Sequence, residues 1–128
     1  MKHFALGRLP VGAMNKTEAR YAVMLEGMKA AGTIKWYKFE ALKLRLADST
    51  FYTPDFAVMR DDDVMECHEV KGFWQDDARV KIKVAADMYP FRFFAVKERT
   101  KKAGGGYEYE AFGDVGRVPE TQGASEAA

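Results

Sequence analysis

Apolar and polar positions along the chain change period several times, and each change marks an element. After Asn15-Lys16-Thr17-Glu18, a capping-box pattern, Tyr21, Leu25 and Met28 recur at helical spacing with Ala22 and Met24 alongside, predicting a helix as far as Gly32. From Ile34 to Leu46 the period shortens towards two, and Leu42, Leu44 and Leu46 alternate with Lys43 and Arg45 as in a half-buried strand. Ala47-Asp48-Ser49-Thr50 reads as a turn, Phe51 to Met59 as a second strand and Val64 to Gly72 as a third. Between the last two, Arg60-Asp61-Asp62-Asp63 is polar enough to form a hairpin tip.

Asp76-Asp77 predicts the start of a second helix running to about Met88, with Val80, Val84, Ala85 and Met88 on its inner face. Pro90 ends it, and Phe91 to Val96 is a dense, buried strand. Thr100 to Gly106 forms a basic, glycine-rich loop, and Tyr107 to Phe112 alternates like an edge strand. Residues 1–13, with Gly7, Pro10 and Gly12, read as a flexible leader, residues 14–112 as one domain, and 113–128 as a disordered tail. The order helix, three meandering strands, helix, strand predicts an α/β fold, a mixed β-sheet flanked by helices.

Composition narrows the chemistry. At 128 residues, 48% apolar and 30% charged, the chain suits one soluble domain with a core of its own. It has no run of apolar residues long enough to span a membrane and no signal-like segment, which predicts a cytoplasmic protein. Cys67 is the single cysteine, so an internal disulfide is excluded. With Cys67, His3 and His68 as the whole Cys/His inventory, a structural zinc site is excluded too. A bound metal would take oxygen ligands, as magnesium, manganese or calcium do.

The net charge of +1 hides a strong segregation. Residues 1–60 carry ten basic against five acidic side chains, and residues 61–77 carry one against seven. Residues 78–102 then carry eight against two, and residues 103–128 one against five. Two basic segments bracketing an acidic centre suit a phosphate backbone drawn towards bound cations, although solvated lysines on ordinary surfaces give the same count.

Candidate chemistry sits in Tyr52-Thr53-Pro54-Asp55-Phe56, followed fourteen residues after Asp55 by Glu69-Val70-Lys71-Gly72. Strand alternation puts Glu69 and Lys71 on one face, and a hairpin returns Asp55 to their side. Two carboxylates and an ammonium at one point are what metal-assisted hydrolysis of a phosphodiester requires. His68 and Glu66 alternate to the opposite face as packing residues, while Cys67 shares the Glu69 face as a small buried thiol. On the second helix Arg79 and Lys83 are four apart and share a face, with Lys81 and Gln75 nearby. Phe73-Trp74 reads as core cover or as a stacking pair. Lys97, Arg99, Lys101 and Lys102 suggest a phosphate clamp, or plain solvated charge.

These residues resemble the signature of the PD-(D/E)XK nuclease superfamily: Pro54-Asp55, then Glu69-Val70-Lys71, then a basic helix. The fuller run is similar to a small phage-encoded branch related to Holliday-junction resolvases, over roughly residues 15–97. The resemblance implies a restriction-endonuclease-like core of order α-β-β-β-α-β. It implies Mg²⁺, with Mn²⁺ able to substitute, held by Asp55, Glu69 and the Val70 carbonyl, and Lys71 assisting attack by water. It also implies an acidic ligand from the first helix, for which Glu18 is the match and Glu26 a substitute, although the capping box explains Glu18 equally well. DNA is the implied partner, contacted by Arg79, Lys81, Lys83, Lys101 and Lys102, and a homodimer the implied assembly. The expected activity is cutting of branched DNA. An exonuclease or nicking enzyme, a non-catalytic binding module and a recombination accessory are the alternatives.

Overall fold

The computed structural model describes residues 12–71 and 76–113. The leader up to residue 11, the segment Gly72-Phe73-Trp74-Gln75 and the tail beyond residue 113 lie outside the described residues.

Asn15 opens α1 (Lys16–Ala30): its side chain accepts from the Glu18 N–H at 2.8 Å, and Glu18 Oε1 accepts from the Asn15 N–H at 2.9 Å. Both halves of the capping box therefore form, satisfying two of the free N–H groups at the helix start. Tyr21, Leu25 and Met28 make the buried face, as their spacing predicts. The strands are β1 (Ile34–Phe39), β2 (Leu44–Ala47), β3 (Thr50–Tyr52), β4 (Phe56–Arg60), β5 (Met65–Val70), β6 (Arg92–Glu98) and β7 (Tyr107–Phe112), with α2 (Asp76–Met88) between β5 and β6.

The main sheet is mixed, in the order β1-β4-β5-β6-β7. β5 and β6 run parallel, joined through α2, and the other neighbouring pairs are antiparallel. α1 covers one face over Phe56, Val58, Val70 and Val96; α2 and the β2–β3 hairpin cover the other over Cys67, Phe93 and Ala95. The α/β class and mixed sheet therefore stand. Among the described residues no helix is long and apolar enough to cross a membrane.

Four details depart from the sequence expectation. Ile34–Leu46 is two strands, because Glu40 takes a left-handed φ of 50° and turns the chain out of β1. Phe51–Met59 is also broken, at Thr53-Pro54-Asp55, so β2 and β3 pair only with each other as a small second sheet. Proline cannot donate to a ladder and restricts its predecessor, which accounts for the interruption.

The third departure concerns α2, which spans the predicted residues but is rotated. Ile82 and Ala85 are buried, whereas Val80, Val84 and Met88 stand 57%, 37% and 50% exposed. Two apolar stripes compete on this helix. The one with Ile82 and Ala85 packs into the core with Cys67, Phe93 and Ala95. The fourth is Arg60, expected in the hairpin tip but found as the buried last residue of β4, with Asp61 to Val64 making the turn.

Candidate active site

The hairpin β4–β5 pairs Phe56 with His68, which sets Asp55 beside Glu69 and Val70. Asp55 Oδ2 accepts a hydrogen bond from the Val70 N–H at 2.8 Å. The Glu40 N–H bonds the Asp55 carbonyl at 2.7 Å, so the left-handed turn after β1 also fixes this backbone. Glu69, 7% exposed, is held from two sides. Tyr52 donates its O–H to Glu69 Oε1 at 2.8 Å, and Lys71 Nζ stands 3.1 Å from Glu69 Oε2. Asp55, Glu69 and Lys71 thus meet at the C-terminal end of β5, next to its parallel partner β6. In open α/β sheets, clefts for ligands form at such strand ends.

The electrostatics are those of an under-compensated acidic pair. Burial pushes the Asp55 carboxyl up to about 8, reinforced by the charge of Glu69 and more weakly by Glu18, while the Val70 N–H and Lys71 pull it down. Burial works against the Lys71 ammonium, but Glu69, Asp55 and Glu18 together raise its pKa. Lys71 is therefore held as a cation beside the two carboxylates. Burial, then Glu66 and Glu69, push the Cys67 thiol up to about 12, which leaves it an inert packing group.

Glu18 forms the cap bonds described above, and its charge is felt at both Asp55 and Lys71. Glu26 instead accepts from the Tyr37 hydroxyl at 2.7 Å. Among the described residues no three His, Cys, Asp or Glu side chains form a closed cage for an ion. The donor set suits Mg²⁺ nonetheless, because that ion commonly keeps several waters and takes only one or two carboxylates from a protein. A dication would also supply the positive charge that burial of Asp55 and Glu69 leaves wanting.

The remaining candidates are dispersed. Arg79 makes a two-pronged contact to Glu110, at 3.2 and 2.5 Å, and together with Lys83 and Phe112 lines an open groove of about 670 Å³ between α2 and β7. Lys81 and Lys83 are exposed and make no ion pair among the described residues; the same holds for Lys101 and Lys102 in the β6–β7 turn. Arg99 pairs with Glu108 at 3.5 Å. His68 and Glu66 face α1, away from the site, as their alternation predicts. Tyr21 Oη lies 2.6 Å from His68 Nδ1, and His68 Nε2 2.9 Å from Glu66 Oε1.

Tyr52 is the site residue that sequence reasoning missed. The available signal was its place in the Tyr52-Thr53-Pro54-Asp55 run, one strand end before the turn that delivers Asp55. No family model, no curated protein and no solved structure matches the chain.

Proposed function

We propose that this chain is a metal-dependent nuclease that hydrolyses phosphodiester bonds of DNA, selective for branched structure. The convergence of Asp55, Glu69 and Lys71 at one strand end, with both carboxylates aimed by their own donors, carries this reading. The element order supports it: α1, β1, β4, β5, α2 and β6 follow the α-β-β-β-α-β order of a restriction-endonuclease-like core, with β2–β3 inserted and β7 appended.

Asp55, Glu69 and the Val70 carbonyl are the groups that would hold Mg²⁺ or Mn²⁺. The ion, when bound, lowers the pKa of water and neutralises charge on the phosphate. Tyr52 and the Val70 N–H keep the two carboxylates in place. Lys71, protonated and beside Glu69, holds the negative charge that builds on the phosphoryl oxygens as water oxygen bonds to phosphorus. The bond to one sugar oxygen then breaks, and a proton from water ends on the leaving hydroxyl. The small domain has little surface for reading a long sequence beside its site, which favours recognition of DNA shape. Two cuts in a branched substrate would be made by a homodimer.

Supercoiled plasmid, linear duplex and a four-way junction incubated with Mg²⁺, Mn²⁺ or EDTA test the proposal. Cutting that requires metal and is lost in Asp55→Ala and Lys71→Ala is the expected result, with the branched substrate cut fastest. If wild type cuts none of the three, and both variants bind DNA as it does, the reading is wrong.

A further inference from the structure

The β2–β3 hairpin is absent from the core order, and its two faces differ sharply. The inner face is apolar: Leu44 and Tyr52 are buried against α2 and the sheet, and Tyr52 continues to Glu69. The outer face presents Phe51, 40% exposed, with Arg45 directly opposite it in the strand pairing. Lys43 lies on the diagonal, its Nζ 4.6 Å from the Phe51 ring centroid. Side chains opposite each other on paired strands share a face, so one ring and two cations form a single small platform.

The cations on this platform lack a carboxylate partner among the described residues. The other described arginines each face a carboxylate: Arg20 with Glu98, Arg60 with Glu66, Arg79 with Glu110, Arg92 with Asp62 and Arg99 with Glu108. Neither Arg45 nor Lys43 makes such a pair among the described residues. An exposed aromatic ring flanked by cations that face no carboxylate among the described residues matches a nucleotide, whose base offers a π-face and whose phosphate offers the anion. The location adds to this, because Phe51 adjoins the tyrosine that holds Glu69, a candidate metal-holding carboxylate.

We propose that the outer face of the β2–β3 hairpin binds an unpaired nucleotide of branched DNA, the base stacking on Phe51 and the phosphate lying between Lys43 and Arg45. The inference rests on the nuclease reading for its DNA partner and supplies that reading with a source of structure selectivity. A paired base in continuous duplex has both faces occupied by its neighbours, so the platform discriminates by requiring an open one. Phe51 acts here as a specificity residue.

The test is binding by the full chain in EDTA, where no cutting interferes. A fluorescent duplex carrying a single-stranded flap is compared with the same duplex lacking it. Wild type should prefer the flapped DNA, and Phe51→Ala should lose about tenfold on it while changing less than about twofold on plain duplex. Phe51→Trp should restore the preference. Lys43→Ala and Arg45→Ala should each make the salt dependence shallower by about 0.7 in log–log slope. Because Phe51 is on the surface, folding is not at risk, and circular dichroism verifies it. No flap preference in wild type, or a Phe51→Ala variant that binds flapped DNA as wild type does, overturns the proposal. Metal-dependent cutting by wild type is scored separately, so the nuclease reading can fail while the stacking platform stands, and the reverse.

Discussion

Asp55 shows how a site can be legible in sequence while its energetics are not. The Pro-Asp pair and the fourteen-residue spacing to Glu69 place it, because a hairpin has few ways to return. Its environment depends on how deeply the two carboxylates are buried together, which spacing does not encode. The consequence is a stability that falls with pH. Burial, then Glu69, raise the Asp55 carboxyl to about 8, against roughly 3.9 in an unfolded chain. The folded state therefore binds this proton more tightly than the unfolded state. Its contribution is complete below about pH 4 and is lost as pH rises through about 8. In EDTA, Asp55→Asn should melt about 4–8 °C above wild type at pH 9, equivalent to roughly 1 kcal/mol, and the gap should close at pH 5. Mg²⁺ should raise the melting temperature of wild type at pH 8 and leave Asp55→Asn unmoved. An equal response of the two proteins to Mg²⁺ would mean that Asp55 is not a ligand.

Among the elements, α1 and the edge strand β7 are joined to β5 through a buried polar chain. His68 Nε2 lies 2.9 Å from Glu66 Oε1 and Nδ1 2.6 Å from Tyr21 Oη, and the Tyr21 oxygen lies 2.8 Å from that of Tyr109. Burial above all holds the Tyr21 phenol far above its ordinary pKa, keeping it a donor. Arg60, 2% exposed, lies 3.8 Å from Glu66, too far for a hydrogen bond but close enough to balance its charge. The chain fixes α1, and with it Glu18, against the strand that bears Glu69. Removing one member leaves another buried and unpaired. Glu66→Ala should cost about 3–5 kcal/mol, because Arg60 is then stranded, and Tyr21→Phe about 1–3 kcal/mol. Truncating the exposed Glu108 beside Arg99 should cost under about 1 kcal/mol. Urea unfolding midpoints measure all three; a Glu66→Ala midpoint matching that of Glu108→Ala would refute the ranking. The sequence showed that His68 and Glu66 turn away from the site, since alternation decides that. It did not show the chain, because Tyr21, Arg60 and Tyr109 come from three other elements. The rotation of α2 was equally hidden, since its Ile82/Ala85 and Val80/Val84/Met88 stripes are both apolar and the sheet selects between them.

For the molecule as a whole, the acidic block seen along the sequence does not survive folding as a block. The acidic centre divides: Asp61–Asp63 form the tip at the start of β5, while Glu69 stands at its end, about 20 Å away at ~3.3 Å per residue. Lys35 lies 2.6 Å from Asp63, and Arg92 lies 3.5 Å from both Asp62 and Glu66, so two of the three tip carboxylates face a cation. Little of the acidic segment therefore belongs to the site, and a net count over residues 61–77 overstates its charge. The basic segment behaves differently. β6 runs parallel to β5, so the β6–β7 turn emerges at the end of the sheet where Glu69 and Lys71 lie. Lys101 and Lys102 are exposed on that turn and form no ion pair among the described residues. Cations in this position attract a phosphate backbone without reading its bases or its branching. Replacing both with alanine should therefore weaken binding to flapped and plain duplex by the same factor and make the log–log salt slope shallower by about 1.8. The cutting rate at saturating DNA should stay within about twofold of wild type, since neither lysine touches the reacting atoms. Anisotropy titrations at several salt concentrations and single-turnover cleavage measure the two halves. A fall in saturated rate with an unchanged salt slope would move these lysines from the approach surface into the site itself.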